Sequence, residues 1–275
     1  MRGRTRLILS PIFVALFAVI FLVPFVFIVL TAAKSQAQAA QFEFSLPVHW
    51  QLFENLWDAI RNRNYLLIAA FINSTIITVA SVTIMVVLSA MVAYVLQRRP
   101  SRWTKVVDVL ILCGLIIPPA IVPTVYVLQK LALFKTLQGL ILVEVAYGMA
   151  FCILLFRAFI ATIPREIDEA AIIDGAGPLR LFFKVIFPLL RSVTITVIVT
   201  QSVFVFNDFA NPLYFLPGDE NATVQLTLFN FQSQYNTQFN LLFADILLIT
   251  IPPLIMFMLF NRKIVAGMTA GAVKG

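Results

Sequence analysis

From Leu7 to Ala33, and again from Asn64 to Gln97, the chain carries no charged side chain at all. A bilayer's hydrocarbon core asks for about 20 apolar residues in helical form. The first run exceeds that length, and the second exceeds it enough to require tilt or projection. The same criterion selects six spans, 7–33, 66–96, 106–128, 139–160, 186–207 and 239–260. All six read as helices, because the runs are continuous and lack the period-two alternation of barrel strands. The expected fold class is an all-α integral membrane protein with six transmembrane helices in a single domain over 1–275. Composition closes the alternatives. Only 12% of residues are charged, against about 25% in soluble domains, and 26 Phe residues are incompatible with a disordered chain. A cleavable signal peptide is the rival reading of the first run, since Arg2, Arg4 and Arg6 precede it. Its apolar core is, however, far longer than the roughly 7–15 residues such peptides use.

The net charge of +7 reads as topology rather than as a nucleic-acid footprint. Six spans leave both termini on one side. With the termini inside, the inner segments hold fifteen Lys and Arg residues and the outer loops five, namely Lys34, Arg61, Arg63, Lys130 and Lys135. Basic residues concentrate on the cytoplasmic side, so both ends are expected in the cytoplasm. Cys113 and Cys152 lie inside apolar runs, and His49 is the only histidine. Neither a disulfide framework nor a metal set follows from them.

Outside the spans, Trp50, Phe53, Trp57 and Ile60 fall at helical spacing, with Glu54, Asp58 and Arg61 mostly elsewhere on the wheel. This predicts a short amphipathic helix, either lying in the outer lipid interface or packing on the tops of the spans. The last outer loop, 211–238, is rich in Asn, Gln and Thr and carries Asp219 and Glu220 without any basic residue.

The most informative segment is the inner loop 164–178. Pro164 suits a helix's first turn, and Glu166, Asp168 and Glu169 then sit at the positive end of the dipole. Gly175 supplies a stop, and Gly177-Pro178 opens a second helix that leads into the fifth span. Helix, glycine hinge, helix is thus encoded in a chain otherwise made of spans. Ala170 and Ala171 permit close approach by another surface.

These residues resemble the EAA loop of bacterial ABC importer permeases: Glu169-Ala170-Ala171, three residues, Gly175, nine residues, then Val185-Ile186-Phe187-Pro188. The family's usual tail is Ile-x-Leu-Pro, so Val185 and Phe187 are conservative departures. Asn73-Ser74, Ile117-Pro118-Pro119, Arg157 with Ile163-Pro164-Arg165-Glu166, Asn207-Asp208-Phe209 and the terminal 267–275 are similar to the carbohydrate-uptake, maltose-type branch. The resemblance covers the chain nearly end to end. It implies a multi-pass permease subunit in the bacterial inner membrane, with 164–188 as a coupling loop seated in a cytoplasmic ATPase. Coupling would fall to Glu166, Glu169, Ala170, Ala171, Asp174, Gly175 and Pro188. The implied partners are an ATPase subunit dimer, a second related permease, an extracytoplasmic solute-binding protein and membrane lipid, with no nucleic acid. ATP and Mg would belong to the ATPase, and no cofactor to this chain, which lacks a phosphate-cradling Gly-x-x-x-x-Gly-Lys-Ser/Thr loop, a Gly-x-Ser-x-Gly elbow and a His-Glu-x-x-His pair. The chain is therefore expected not to be an enzyme. A self-sufficient secondary transporter or channel is the competing class.

Ionisable groups inside spans cost about 2.5–3.5 kcal/mol each on insertion scales. By orientation, Asn73, Glu144, Asp208 and Asp245 share one depth below the outer mouth, while Asp108 lies near the cytoplasmic start of the third span. With Asn207, and with Tyr126 or Tyr147 offering ring faces, they form a candidate solute pathway for a neutral mono- or oligosaccharide. The alternative for each is helix–helix glue. Topology is directly testable. An impermeant maleimide should label Asp58→Cys in intact cells and Arg102→Cys only after permeabilisation, and the reverse pattern would invert the assignment.

Overall fold

The structure is a computed structural model. It describes residues 2–232 and 237–272, with side chains over 17–232 and 237–260. The basic residues Arg2, Arg4, Arg6, Arg262, Lys263 and Lys274, and the tail 267–275, lie outside the described side chains. Among the described residues every regular element is helical.

In chain order these are α1 (Arg2–Ala32), α2 (Gln36–Ala39), α3 (Leu52–Arg98), α4 (Arg102–Ile116), α5 (Ile121–Lys130), α6 (Leu137–Ile160) and α7 (Glu166–Ile173). They continue with α8 (Pro178–Leu189), α9 (Arg191–Phe206), α10 (Ala210–Phe215), α11 (Val224–Thr227) and α12 (Phe239–Ala272). Three helices, α3, α6 and α12, are by themselves long and apolar enough to cross a membrane, and the number rises to five if two bent pairs each count as one span. The described apolar part of α1 is Phe17–Ala32.

Two expected spans are broken. The run 106–128 is not one helix, because α4 and α5 meet at 114°. Ile117 is extended, at φ −78° and ψ 124°, as a residue before proline must be, and Pro118-Pro119 keep the helix from restarting until Ile121. The run 186–207 is likewise α8 followed by α9 at 78°, with a π-helical turn over Phe182–Ile186. Pro252 and Pro253, by contrast, lie inside a continuous α12.

The chain divides into two compact units: residues up to Ala70 with Val224–Ile251, and Phe71–Thr223 with Pro252 onward. In the first unit, helix 52–61 is separated from the rest of α3 by non-helical Asn62–Tyr65. Its aromatic stripe faces away from the chain, with Trp50, Phe53 and Trp57 exposed and Arg61 stacked on Trp57 at 4.8 Å. Buried Asn55 does the joining. Its amide donates to the carbonyls of Ala32 (2.8 Å) and Lys34 (2.9 Å), which closes the end of α1, and its oxygen accepts from the Asn240 amide at 2.9 Å. Lys34, expected in an outer loop, is 1% exposed and donates to the Glu43 carbonyl at 2.7 Å.

In the second unit the core gathers Met85, Ala90 and Ala93 of α3, Cys152, Ile153 and Phe156 of α6, and Phe182, Ile186, Val193 and Val197 of α8 and α9. Gly148 marks a close approach of α3 and α9 to α6. A Cβ there would stand 2.3 Å from the Met85 sulfur and 3.2 Å from the Gln201 side-chain oxygen. At another point Arg157 of α6 pairs with Asp108 of α4 and donates to Gln97 of α3 at 3.3 Å. Asp108, the odd acid of the sequence, thus has a cation of its own.

Replacing Asn55 with Ala should strand buried carbonyls at about 1–3 kcal/mol, a Tm loss of a few degrees for a chain of this size. Thermal unfolding in detergent reads this directly, and an unchanged Tm would mean that water already serves those carbonyls.

Candidate functional site

The segment 164–188 folds as an exposed helix, a glycine stop and a second helix. Helix α7 begins at Glu166, with Arg165 at the cap, so Pro164 precedes the first turn rather than occupying it. Glu166, Asp168 and Glu169 fill that turn, where the unpaired amides favour negative charge. At the other end the Ala176 amide donates to the Ala171 carbonyl and the Gly175 amide to that of Ile172, both at 3.0 Å. This double closure requires a left-handed residue, and Gly175 supplies it at φ +76° with nothing within 4 Å of a would-be Cβ. Pro178 then starts α8 at its first position.

Glu166, Glu169, Ala170, Asp174, Gly175 and Pro188 are exposed, and Ala171 is buried beneath them. Ile172, Ile173 and Leu179 are exposed alongside, Ile173 to 85%. Exposed apolar side chains here stand beside the acids Glu166, Glu169 and Asp174. Asp168 differs from its neighbours in turning inward, where its carboxylate meets Tyr94 and Arg98 of α3.

A second feature lies in the same unit. A cavity of about 470 Å³ is lined by Pro119, by Glu144, Tyr147, Gly148 and Phe151 of α6, by Thr200, Gln201 and Phe204 of α9, and by Asp208, Ala210 and Asn211. Asp208 closes the start of α10, its Oδ1 accepting from the Ala210 amide at 2.9 Å and the Asn211 amide at 3.4 Å. The Asn211 side chain in turn donates to Glu144 Oε1 at 3.1 Å, so that Glu144 and Asp208 line the same cavity with Asn211 engaging both. Tyr147 meets the Thr124 hydroxyl at 3.3 Å. Acceptor oxygens, amides and two phenylalanine rings thus line one space, with no basic side chain among the lining residues.

The residues of the expected pathway occupy several settings. Glu144, Tyr147 and Asp208 line the cavity. Asn207 follows α9, with its amide on the Val203 carbonyl at 2.9 Å. Asn73 donates to the Ala222 carbonyl at 3.1 Å, and Tyr126 is 66% exposed. Asp245 belongs to the other unit, fully buried, accepting from the Thr227 hydroxyl at 2.8 Å. Gln201, Thr200 and Asn211 were not anticipated. Being uncharged, they cost too little in an apolar run to stand out, although a Gln inside span five was a usable signal.

Helices of membrane-spanning length, a short exposed helix closed by glycine and a polar-lined cavity are the features a membrane transport subunit would carry. Residues 85–270 match the model of the binding-protein-dependent transport system inner membrane component family, and the chain belongs to that family. It is 30% identical to the melibiose/raffinose/stachyose import permease of Bacillus subtilis, over 92% of this chain and 91% of the relative. Identity is 31% with the diacetylchitobiose uptake system permease of Streptomyces coelicolor, over 97% and 88%. With the probable starch degradation products transport permease of Thermoanaerobacterium thermosulfurigenes it is 33%, over 91% of each. A chain in the crystal structure of a bacterial ABC transporter involved in the import of the acidic polysaccharide alginate superposes with a TM-score of 0.82 at 22% identity, covering 95% of this chain and 97% of the other. That likeness concerns the fold. The protein is thus a multi-pass permease component of the inner membrane.

The Glu144–Asn211 contact predicts an asymmetry. Glu144→Gln retains an acceptor for the Asn211 amide and should leave Tm unchanged or raised, since it also removes one of the two acids lining the cavity. Glu144→Leu strands the amide and should lower Tm, by about 1–3 kcal/mol of stability. Equal effects of the two in thermal unfolding would show that the contact contributes nothing.

Proposed function

We propose that this chain is the membrane-spanning permease subunit of an ATP-driven importer for a neutral mono- or oligosaccharide. The observation that carries the reading is the exposed α7 with its glycine closure, a rigid projection on a protein otherwise made of spans. In this reading 164–188 faces the cytoplasm and seats in one subunit of an ATPase dimer. Glu166, Glu169, Ala170, Asp174 and Gly175 form the contact, with Ala171 and Pro188 shaping it. ATP and Mg bind the ATPase, and this chain catalyses nothing. A second related permease completes the pathway, and an extracytoplasmic binding protein delivers the solute to the outer loops, 211–238 among them. The membrane carries six spans of this chain, with both termini inside.

Sugar as solute is supported by relatives named for melibiose, raffinose, stachyose, diacetylchitobiose and starch products. Neutrality is supported by a cavity rich in hydrogen-bond acceptors and free of basic side chains among those lining it. An acidic solute would meet Glu144 and Asp208 with no cation to offset them, whereas sugar hydroxyls donate to such oxygens and apolar sugar faces rest on Phe151, Phe204 or Tyr147. Asn73 and Asp245 act within their own units, Asn73 on the Ala222 carbonyl and Asp245 on the Thr227 hydroxyl.

Extraction from the native membrane in mild detergent, followed by mass spectrometry, should recover an ATPase subunit and a second permease. Glu169→Lys and Gly175→Asp should each abolish uptake of labelled oligosaccharide and lose the ATPase while the chain remains in the membrane. The chain transporting alone in ATP-free vesicles would overturn the importer in favour of a self-sufficient transporter.

A further inference from the structure

Helix α7 touches the rest of its unit in two chemically different ways. One is apolar: Ala171 lies in the same buried cluster as Leu181 and Phe182. Such contact is non-directional and lets one surface slide over another at little cost. The other is not. The Asp168 carboxylate, at the buried side of α7, accepts from the Tyr94 hydroxyl through Oδ1 at 2.6 Å and stands 3.0 Å from Arg98 Nη2 through Oδ2. The same Arg98 nitrogen donates to the carbonyl of Ile163 at 2.9 Å, on the chain entering α7. Tyr94 and Arg98 are one turn apart on α3, so a single face of that helix grips both the acid and the approach to it. Both charged side chains are nearly closed to solvent, at 9% and 11% exposure.

The hydrogen bonds from Tyr94 to Asp168 and from Arg98 to Ile163 fail within a fraction of an ångström of stretch or a modest change of angle, and the ion pair beside them is nearly closed to water. A displacement of α7 therefore either carries the end of α3 with it or breaks the set at the cost of an uncompensated buried charge. The next residues along extend the connection, since Gln97 accepts from Arg157, which is paired with Asp108 of α4.

We infer that Tyr94, Arg98 and Asp168 form a latch of positioning residues that converts movement of α7 into movement of α3. Force received at the exposed loop then shifts a span instead of flexing the loop. This rests on the importer reading, and it assigns work to three side chains that do not face the ATPase.

The test is the number of ATP molecules hydrolysed per solute imported, measured on the assembled transporter in proteoliposomes with its binding protein. Asp168→Asn should keep ATP hydrolysis while import falls, raising the ratio severalfold. Arg98→Lys should lie between wild type and Arg98→Ala, because the charge survives but sits on a different, more flexible head group. Tyr94→Phe combined with Asp168→Asn should be no worse than Asp168→Asn alone, as for residues acting as one unit. If Asp168→Asn fails to assemble, Tyr94→Phe, which removes one oxygen and no charge, carries the same measurement. A proportional loss of import and hydrolysis, with the ratio unchanged, would overturn the latch and leave a merely structural contact. So would full activity in every variant. Failure of the importer reading looks different, because the wild-type chain would then import without ATP, and the latch would fall with it.

Discussion

A polar group buried among apolar helices has no water to fall back on, and the pairings that join one helix to the next are those in which such a group is met inside the protein. Carbonyls left over at the end of α1 are met by the Asn55 amide. The Asp108 carboxylate is met by Arg157, and the Asp168 carboxylate by Tyr94 and Arg98. Each of these pairings crosses from one helix to another or to the chain leading into it. Helices whose apolar faces would slide against one another are thereby held in register, and apolar packing fills the space between the pins.

The cavity follows the same rule with a different outcome. Gly148 brings α3, α6 and α9 together behind it, and the broken α4–α5 segment contributes Pro119 to the wall. The polar groups there are only partly spent on one another. Asn211 engages one oxygen of Glu144, and Asp208 is occupied by backbone amides. Gln201 and Tyr147 add to the polar part of the lining.

Much of this was legible in the chain. Continuous charge-free runs located the helices because desolvation of a charge is costly enough to leave a mark on sequence. Gly175 announced its turn because few other residues tolerate its backbone angles. The break at Ile117–Ala120 was signalled by paired prolines, but its 114° angle was not, since prolines free a chain to bend without saying how far. The turn at Leu190, where ψ opens to 7°, follows the single Pro188, which likewise gives no measure of the 78° bend. Among site residues, the intramembrane acids were found by their cost, whereas their partners lie some 67 positions away in the case of Glu144 and Asn211, beyond any local pattern. Tyr126, named for its ring face, stands exposed on the helix that follows the proline break.

The glycine closure of α7 has a consequence for encounter. A helix of eight residues is too short to persist alone in water, and ordering its backbone on contact would consume about 1–2 kcal/mol per residue. Here that expense is met during folding, by the double backbone closure at one end and the buried Asp168 near the other. Any protein docking on the loop meets a shape already made, so nearly all of the contact free energy remains for affinity and a small interface suffices. The same feature means that a free peptide copied from this loop would be a poor mimic of it.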